Sequence, residues 1–236
     1  MEIAQMWVSV VADTKNFYSS MNNIEQRMKA AEDSSKKLLA GVAAAGAGLL
    51  AFGYNAITAG AELQAMEAQF EQVFDILQSD AMDAVNRLSE EFDMLPNRIK
   101  PAFTSMTSMF KGLGYDTTDA MKMAEDAVTL AADAAAFYDK SYEDANAALN
   151  SFLKGNYEGG EAIGLFANET QMAAYASKEL GMDWQNLDEA GKQLVRLDYA
   201  AAMQAAAGAT GQAARESDSY ANQMGNLKQA WTDFAG

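Results

Sequence analysis

The chain of 236 residues has no cysteine, no histidine and only two prolines. Without cysteine there is no disulfide, no thiolate metal site and no sulfur nucleophile. Without histidine the commonest metal ligand and the usual near-neutral general base are missing, and a Ser-His-Asp triad is excluded. Basic residues are scarce too: 17 Lys and Arg stand against 33 Asp and Glu, a net charge of −16. Affinity for nucleic acid rests on Lys and Arg neutralising phosphates, so no direct nucleic-acid binding is expected. Charge of one sign favours solubility and repulsion between copies instead.

The residues present favour helix. Alanine supplies 47 residues and methionine 15, and no proline follows Pro101. Alanine is the best helix former, with methionine, glutamine, glutamate and leucine close behind. Alanine buries little area, so the core per residue is expected to be thin. The expected fold is all-α, with long and short helices in a hairpin or bundle arrangement. We divide it into residues 1–61 and a helical domain over 62–236.

The start lacks the basic and apolar regions of a secretory signal. Ile3 to Ala12 alternates Ala4, Met6, Val8 and Val10 with polar or aromatic neighbours, which reads as a short strand, helix being the competing reading. Asp13 and Thr14 can cap the helix expected next. Phe17, Met21, Ile24, Met28, Ala31, Ser35 and Leu38 then recur at steps of four and three, a coiled-coil-like seam. It suits either pairing with another copy or packing as one amphipathic helix.

Leu38 to Ala61 carries no charge and is long enough to span a bilayer core of about 20 residues. Leu38, Val42, Leu49, Leu50, Phe52 and Ile57 supply its apolar bulk, interrupted by five glycines, Asn55 and Thr58. Two readings are open: a closely packed helix, or a membrane-inserting segment using small-xxx-small contacts.

A second seam runs through Leu63, Met66, Phe70, Val73, Leu77, Ala81, Ala84 and Leu88. It predicts one helix ending near Leu95, because the residue before Pro96 is disfavoured in helix. Pro101 reads as a second break, opening a short helix to Lys111 with Phe103, Met106 and Phe110 inward. Asp116 is a candidate cap for a long helix in which Ala120, Met123, Ala127, Leu130, Ala134 and Phe137 face the core. Ser141 with Asp144 resembles a capping box, and the helix it opens ends at Gly155. Asn156 to Gly160 reads as a loop. Further helices are expected over Glu169–Leu180, Leu187–Ala207 and Ser219–Phe234, with Gly181 and Gly208 at C-caps. Trp184 and Trp231 read as packing anchors.

No specific chemical constellation emerges. Gly155–Gly164 lacks the spacing of a phosphate loop, and no calcium loop occurs. Glu90 with Glu91, or Glu158 with Glu161, could be imagined as an acid/base pair for glycoside cleavage. Solvated helix faces explain them better. We assign no catalytic, cofactor-binding or metal-binding residue and expect no enzyme.

The stretch LAADAAAFYDKSYEDANAALNSFLKGNYEGGEAIG, Leu130 to Gly164, resembles the core region of phage tail tape measure proteins. The resemblance rests on Leu130, Asp133, Ser141, Glu143, Asp144, Ala145, Leu153, Lys154, Gly155, Ile163 and Gly164. SDSYANQMGNLKQAWTDFAG, from Ser217, is similar to the family's next small helical segment, and the early helix with its Gly-rich apolar run resembles the family's amino-terminal part. The resemblance implies a scaffold and ruler in the tail tube lumen of a virion, present earlier in the host cytoplasm. The implied partners are tail tube protein, tail assembly chaperone, tail tip or baseplate proteins, and further copies of the chain. It also implies release at genome ejection, with the host membrane as a further contact. Tape measures are usually far longer; fully helical, this chain spans at most about 350 Å. We therefore expect an amino-terminal piece of a longer ruler. The competing function is a membrane-active helical protein that inserts 38–61 to form or support a pore.

Overall fold

The computed structural model describes residues 61–235, and Ala61–Phe234 form one compact unit. All regular structure among the described residues is helical. A helix over 61–74 (α1) leads through a 3-10 turn, Asp75–Leu77, into α2 (Gln78–Phe92). Then come α3 (Pro96–Gly112), α4 (Thr117–Phe137), α5 (Tyr142–Leu153) and a single helical turn, α6 (Tyr157–Gly160). The 3-10 turn Glu161–Ile163 precedes α7 (Glu169–Glu179), and the 3-10 turn Trp184–Asn186 precedes α8 (Glu189–Ala207). A short α9 (Gln212–Arg215) and α10 (Tyr220–Ala235) complete the described chain.

Caps written in the sequence set the helix starts. Asp116 Oδ1 accepts from Asp119 N–H at 2.9 Å, Ser141 Oγ from Asp144 N–H at 3.1 Å, Asn168 Oδ1 from Gln171 N–H at 3.0 Å, and Asp188 Oδ1 from Gly191 N–H at 2.8 Å. Each satisfies a backbone donor that the first helical turn leaves without a partner.

Helix α4 is the hub and packs against α2, α3, α5, α8 and α9. Its second half is buried on every side, Leu130 to Ala135. A helix surrounded by neighbours needs small residues all round, and alanine provides them. The bulk comes from the flanking helices: Phe74, Phe92, Ile99, Phe103, Met106, Phe110, Leu149, Phe152 and Leu153 are fully buried. Phe74 and Phe103 stack with ring centroids 5.4 Å apart. The expected thin core is therefore an alanine centre filled in by aromatic neighbours.

Several expectations are corrected. The seam from Leu63 to Leu88 is not one helix. Asp75 takes a left-handed φ of +46°, which a short polar residue tolerates, and the 3-10 turn leaves Ile76 89% exposed while Phe74 and Ala81 stay buried. The helix ends at Phe92, not near Leu95, because Asp93 (φ +49°) closes it and returns its N–H to the Ser89 carbonyl. Pro101 does not break α3. Its ring is exposed near the start of the helix, where the missing N–H removes a single bond. Asn156–Gly160 is largely a helical turn, Tyr157–Gly160, and its Gly159 and Gly160 pack so close to Ser151 and Phe152 that a Cβ at either would overlap them. Phe137, at the end of α4, is 39% exposed and meets Tyr138 edge-on instead of the core.

The expected strand, the seam residues Phe17, Met21, Ile24, Met28 and Leu38, and the apolar residues Val42, Leu49, Leu50, Phe52 and Ile57 lie outside the described residues.

Candidate functional site

The motif residues from Leu130 to Gly164 occupy junctions between helices; no cleft gathers them. Asp133 of α4 is only 2% exposed. Its Oδ2 accepts from Gly211 N–H at 2.6 Å and its Oδ1 from Ala213 N–H at 3.0 Å, so the carboxylate sits against the first turn of α9. One turn earlier, the Leu130 carbonyl accepts from Gln204 Nε2 of α8 at 3.1 Å. Two consecutive turns of the hub thus grip the end of α8 and the reversal after it.

Ser141 and Asp144 form the cap of α5, with Asp144 exposed. At the other end of α5, Leu153 is fully buried and its carbonyl accepts from Arg196 Nη1 of α8 at 3.0 Å. Gly155 (φ +88°) lies against the same guanidinium: a Cβ there would stand 3.0 Å from Arg196 Nη2. Ile163 is buried, and Gly164 (φ +75°) presses on Tyr138, where a Cβ would overlap the hydroxyl and Cζ. These two glycines set how closely the α5–α6 region approaches α8 and the end of α4.

Two polar clusters that sequence reasoning did not single out complete the framework. Arg196 donates through Nη1 to Glu189 Oε1 at 2.6 Å, and its guanidinium lies 5.5 Å from the Trp184 ring centroid and 5.8 Å from that of Tyr157. Trp184, 2% exposed, donates Nε1–H to Glu169 Oε2 at 2.6 Å, and Tyr157 Oη–H donates to Glu169 Oε1 at 2.9 Å. Burial alone would raise the Glu169 carboxyl, but these two donors and the charges of Arg196 and Lys192 outweigh it and hold it below the usual range. Trp184 is buried, as expected of a packing anchor; Trp231 is 58% exposed, with its ring centroid 5.8 Å from that of Phe234.

The second cluster centres on Arg98 of α3. Its Nε donates to Glu143 Oε1 at 3.0 Å, and its Nη1 to Asn222 Oδ1 at 2.6 Å and Asn226 Oδ1 at 2.9 Å. Asn222 Nδ2 donates to the Phe92 carbonyl at 2.9 Å, and Asn226 Nδ2 to the Asp93 carbonyl at 2.7 Å. A lone arginine in the apolar register of each helix, Arg98 before Ile99 and Arg196 between Val195 and Leu197, was the available signal.

A cavity of about 50 Å³ beside Arg98 is lined by Phe92, Met94, Ala135, Tyr142 and Asn222 among others. A shallow groove of about 380 Å³ beside Trp184 is lined by Ala173, Ser177, Gly181, Met182, Asp183 and Gln185. Glu90, Glu91, Glu158 and Glu161 are exposed and line neither. Among the described residues no group of acidic side chains could hold a metal ion, and no helix is long and apolar enough to cross a membrane. The chemical capacity of the clusters is turned inward: their donors and acceptors bind helix to helix.

Compared with protein-family models, curated proteins and solved structures, the chain finds no match.

Proposed function

We propose that the chain is a structural component of a phage or phage-like tail, a tape measure and scaffold around which tube subunits assemble and which leaves at genome ejection. The observation that carries this reading is the ordered motif from Leu130 to Gly164, whose residues occur here in the tape-measure sequence order. The helical architecture and the inward use of buried charge are compatible with it. Folded-back helices cannot meter length at about 1.5 Å per residue. On this reading 61–234 is a folded holding point for tube subunit or chaperone, and metering belongs to extended helix elsewhere in the ruler. Placement in the tube lumen, several copies per tail and cytoplasmic assembly belong to the same proposal.

The test is polymerisation of the tail tube protein encoded alongside this chain, with and without it, in the presence of the tail assembly chaperone. Tubes of defined length, or tube initiation itself, should require the chain. Identical length distributions in both cases refute the reading.

A further inference from the structure

Helix α10 meets α2 and α3 through its polar side. At about 100° per residue, Asn222, Asn226 and Asp233 share that side. Arg98 Nη1 donates to Asn222 Oδ1 at 2.6 Å, to Asn226 Oδ1 at 2.9 Å and to the Asn222 carbonyl at 3.0 Å. The two asparagine amides donate to the Phe92 and Asp93 carbonyls at 2.9 and 2.7 Å. Leu95 N–H donates to Asn226 Oδ1 at 3.1 Å, and Asn97 Nδ2 to Asp233 Oδ1 at 3.0 Å. Gly225 lies on the Arg98 guanidinium, where a Cβ would stand 2.4 Å from Cζ. Of the described apolar side chains of α10 only Ala230 is buried, and none belongs to the hydrophobic core of 61–215.

The same seam carries costs. A cavity of about 50 Å³ lies between the start of α10, at Ser219 and Asn222, and Phe92, Ala135 and Tyr142. Tyr142 is 2% exposed, and its hydroxyl has no hydrogen-bond partner. A buried hydroxyl in that position forgoes the bonds it makes in water. Asp93, which closes α2, has its carboxyl raised by burial and then by the charge of Asp218, just before α10.

We infer that α10 is a releasable strap: it lifts from α2 and α3 as one unit, while the alanine-centred body of 61–215 stays folded. Buried apolar contact is what ties an element to the global stability of a fold, and sub-global opening occurs where such contact is sparse. Lifting α10 leaves the core of the body as it is. The anchors centre on one arginine, so they are lost together. Opening hydrates the Tyr142 hydroxyl and relieves the Asp93–Asp218 repulsion. It also strands no charge, because Arg98 keeps Glu143, whose Oε1 accepts from Nε at 3.0 Å. Closed, the strap covers Arg98 and the carbonyls that end α2; open, it presents them to solvent. The inference does not depend on the tail assignment.

The test is hydrogen exchange of the full chain, read by mass spectrometry in rising, sub-denaturing urea. A helix of 16 residues on its own is marginal in water, so α10 loses amide protection once it lifts. Its amides should exchange at least about a hundredfold faster than those of the buried half of α4, at a common rate along the helix and with weaker urea dependence. Asn222→Ala removes a ligand of Arg98. Gly225→Ala favours helix intrinsically yet sets its methyl on the guanidinium. Each should speed α10 exchange at least about tenfold and leave α4 unchanged. Exchange of α10 at the rate and urea dependence of α4 overturns the inference, because the helix then opens only with the whole unit. So does a gradient of rates from one end, which is fraying, and so do variants that speed α4 and α10 equally. Unchanged or slower α10 exchange in Gly225→Ala also overturns it, since helix propensity and not the Arg98 contact then controls opening.

Discussion

Gly164 separates two costs that glycine substitutions usually mix. At φ +75° any residue with a Cβ is strained, by about 1–2 kcal/mol. At this position the Cβ also enters the space of Tyr138, overlapping its hydroxyl and Cζ and standing 3.0 Å from Cε1. Tyr138 is half-buried and held edge-on by Phe137 at 4.9 Å, so displacing it carries an overpacking cost of about 1–3 kcal/mol. Gly164→Ala should therefore lose about 3 kcal/mol. Gly208 is the control: its φ is +82° but no atom lies within 4 Å of its Cβ position, so Gly208→Ala should lose only the backbone part, about 1–2 kcal/mol. Urea unfolding followed by circular dichroism gives both values, and the melting temperature should fall by about 6–12 °C for Gly164→Ala at 2–4 °C per kcal/mol. Adding Tyr138→Ala to Gly164→Ala removes the overlap and leaves the backbone strain, which predicts a coupling of about 1–2 kcal/mol. Equal losses at Gly164 and Gly208, with no coupling to Tyr138, would refute the claim that close approach at the end of α4 is what this glycine provides.

Asp133→Asn keeps one acceptor oxygen but turns an amide donor toward a backbone N–H; the expected loss is about 2 kcal/mol by urea unfolding, and a loss under about 0.5 kcal/mol would mean the carboxylate does not hold the α9 turn. Trp184→Phe removes the donor to Glu169 and the indole face under Arg196 and Lys192, and should cost about 2–3 kcal/mol in the same assay. It should also raise the Glu169 carboxyl toward its ordinary range, read by carboxyl NMR titration. Glu169 is depressed in the fold, so its contribution is present above the unfolded-state carboxylate range and is lost as pH falls through its folded value. Asp93 has the opposite sign: burial, then the Asp218 charge, raises it, so its ionised form opposes folding and stability is regained as pH falls through its folded value. Asp93→Asn, which tolerates φ +49°, should therefore gain less than about 1 kcal/mol at neutral pH and nothing in acid; a gain that persists in acid argues against charge as the cause.

The legibility of this fold in its sequence depends on the range of each signal. Caps act over three residues, and those at Asp116 and Ser141 stand where the residue types place them. Apolar spacing acts over a turn, and Phe103, Met106 and Phe110 face the core accordingly. The 3-10 turn at Asp75 and the passage of α3 through Pro101 are set by tertiary packing, which overrides local preference. The polar framework is longer-range still. Asn222 and Arg98 are 124 positions apart, and Gly211 and Asp133 are 78 apart. Periodicity cannot pair such residues before the topology is known. What the residues of the Leu130–Gly164 stretch do was not readable either: Asp133 is one carboxylate among 33 until Gly211 and Ala213 are seen to close on it.

That framework answers a difficulty inherent in an alanine hub. Sliding a neighbour one turn along α4 exchanges alanine for alanine at much of the contact, Ala120 for Ala124 or Ala127 for Ala131, with little change in buried area. Apolar packing of this kind stabilises compaction but specifies alignment weakly. Hydrogen bonds differ because a displacement of one turn breaks them outright and leaves buried groups unsatisfied. Asp133 fixes α9 on the hub, Gln204 fixes the end of α8 to the same helix, Arg196 fixes α8 on the end of α5, and Arg98 fixes α10 on α3. Each contact joins elements far apart in sequence, and all four bring in backbone groups whose positions no side-chain rotation can adjust. Alignment here is therefore set by a few buried polar residues, and the hub alanines serve to let the helices approach closely enough for those residues to meet.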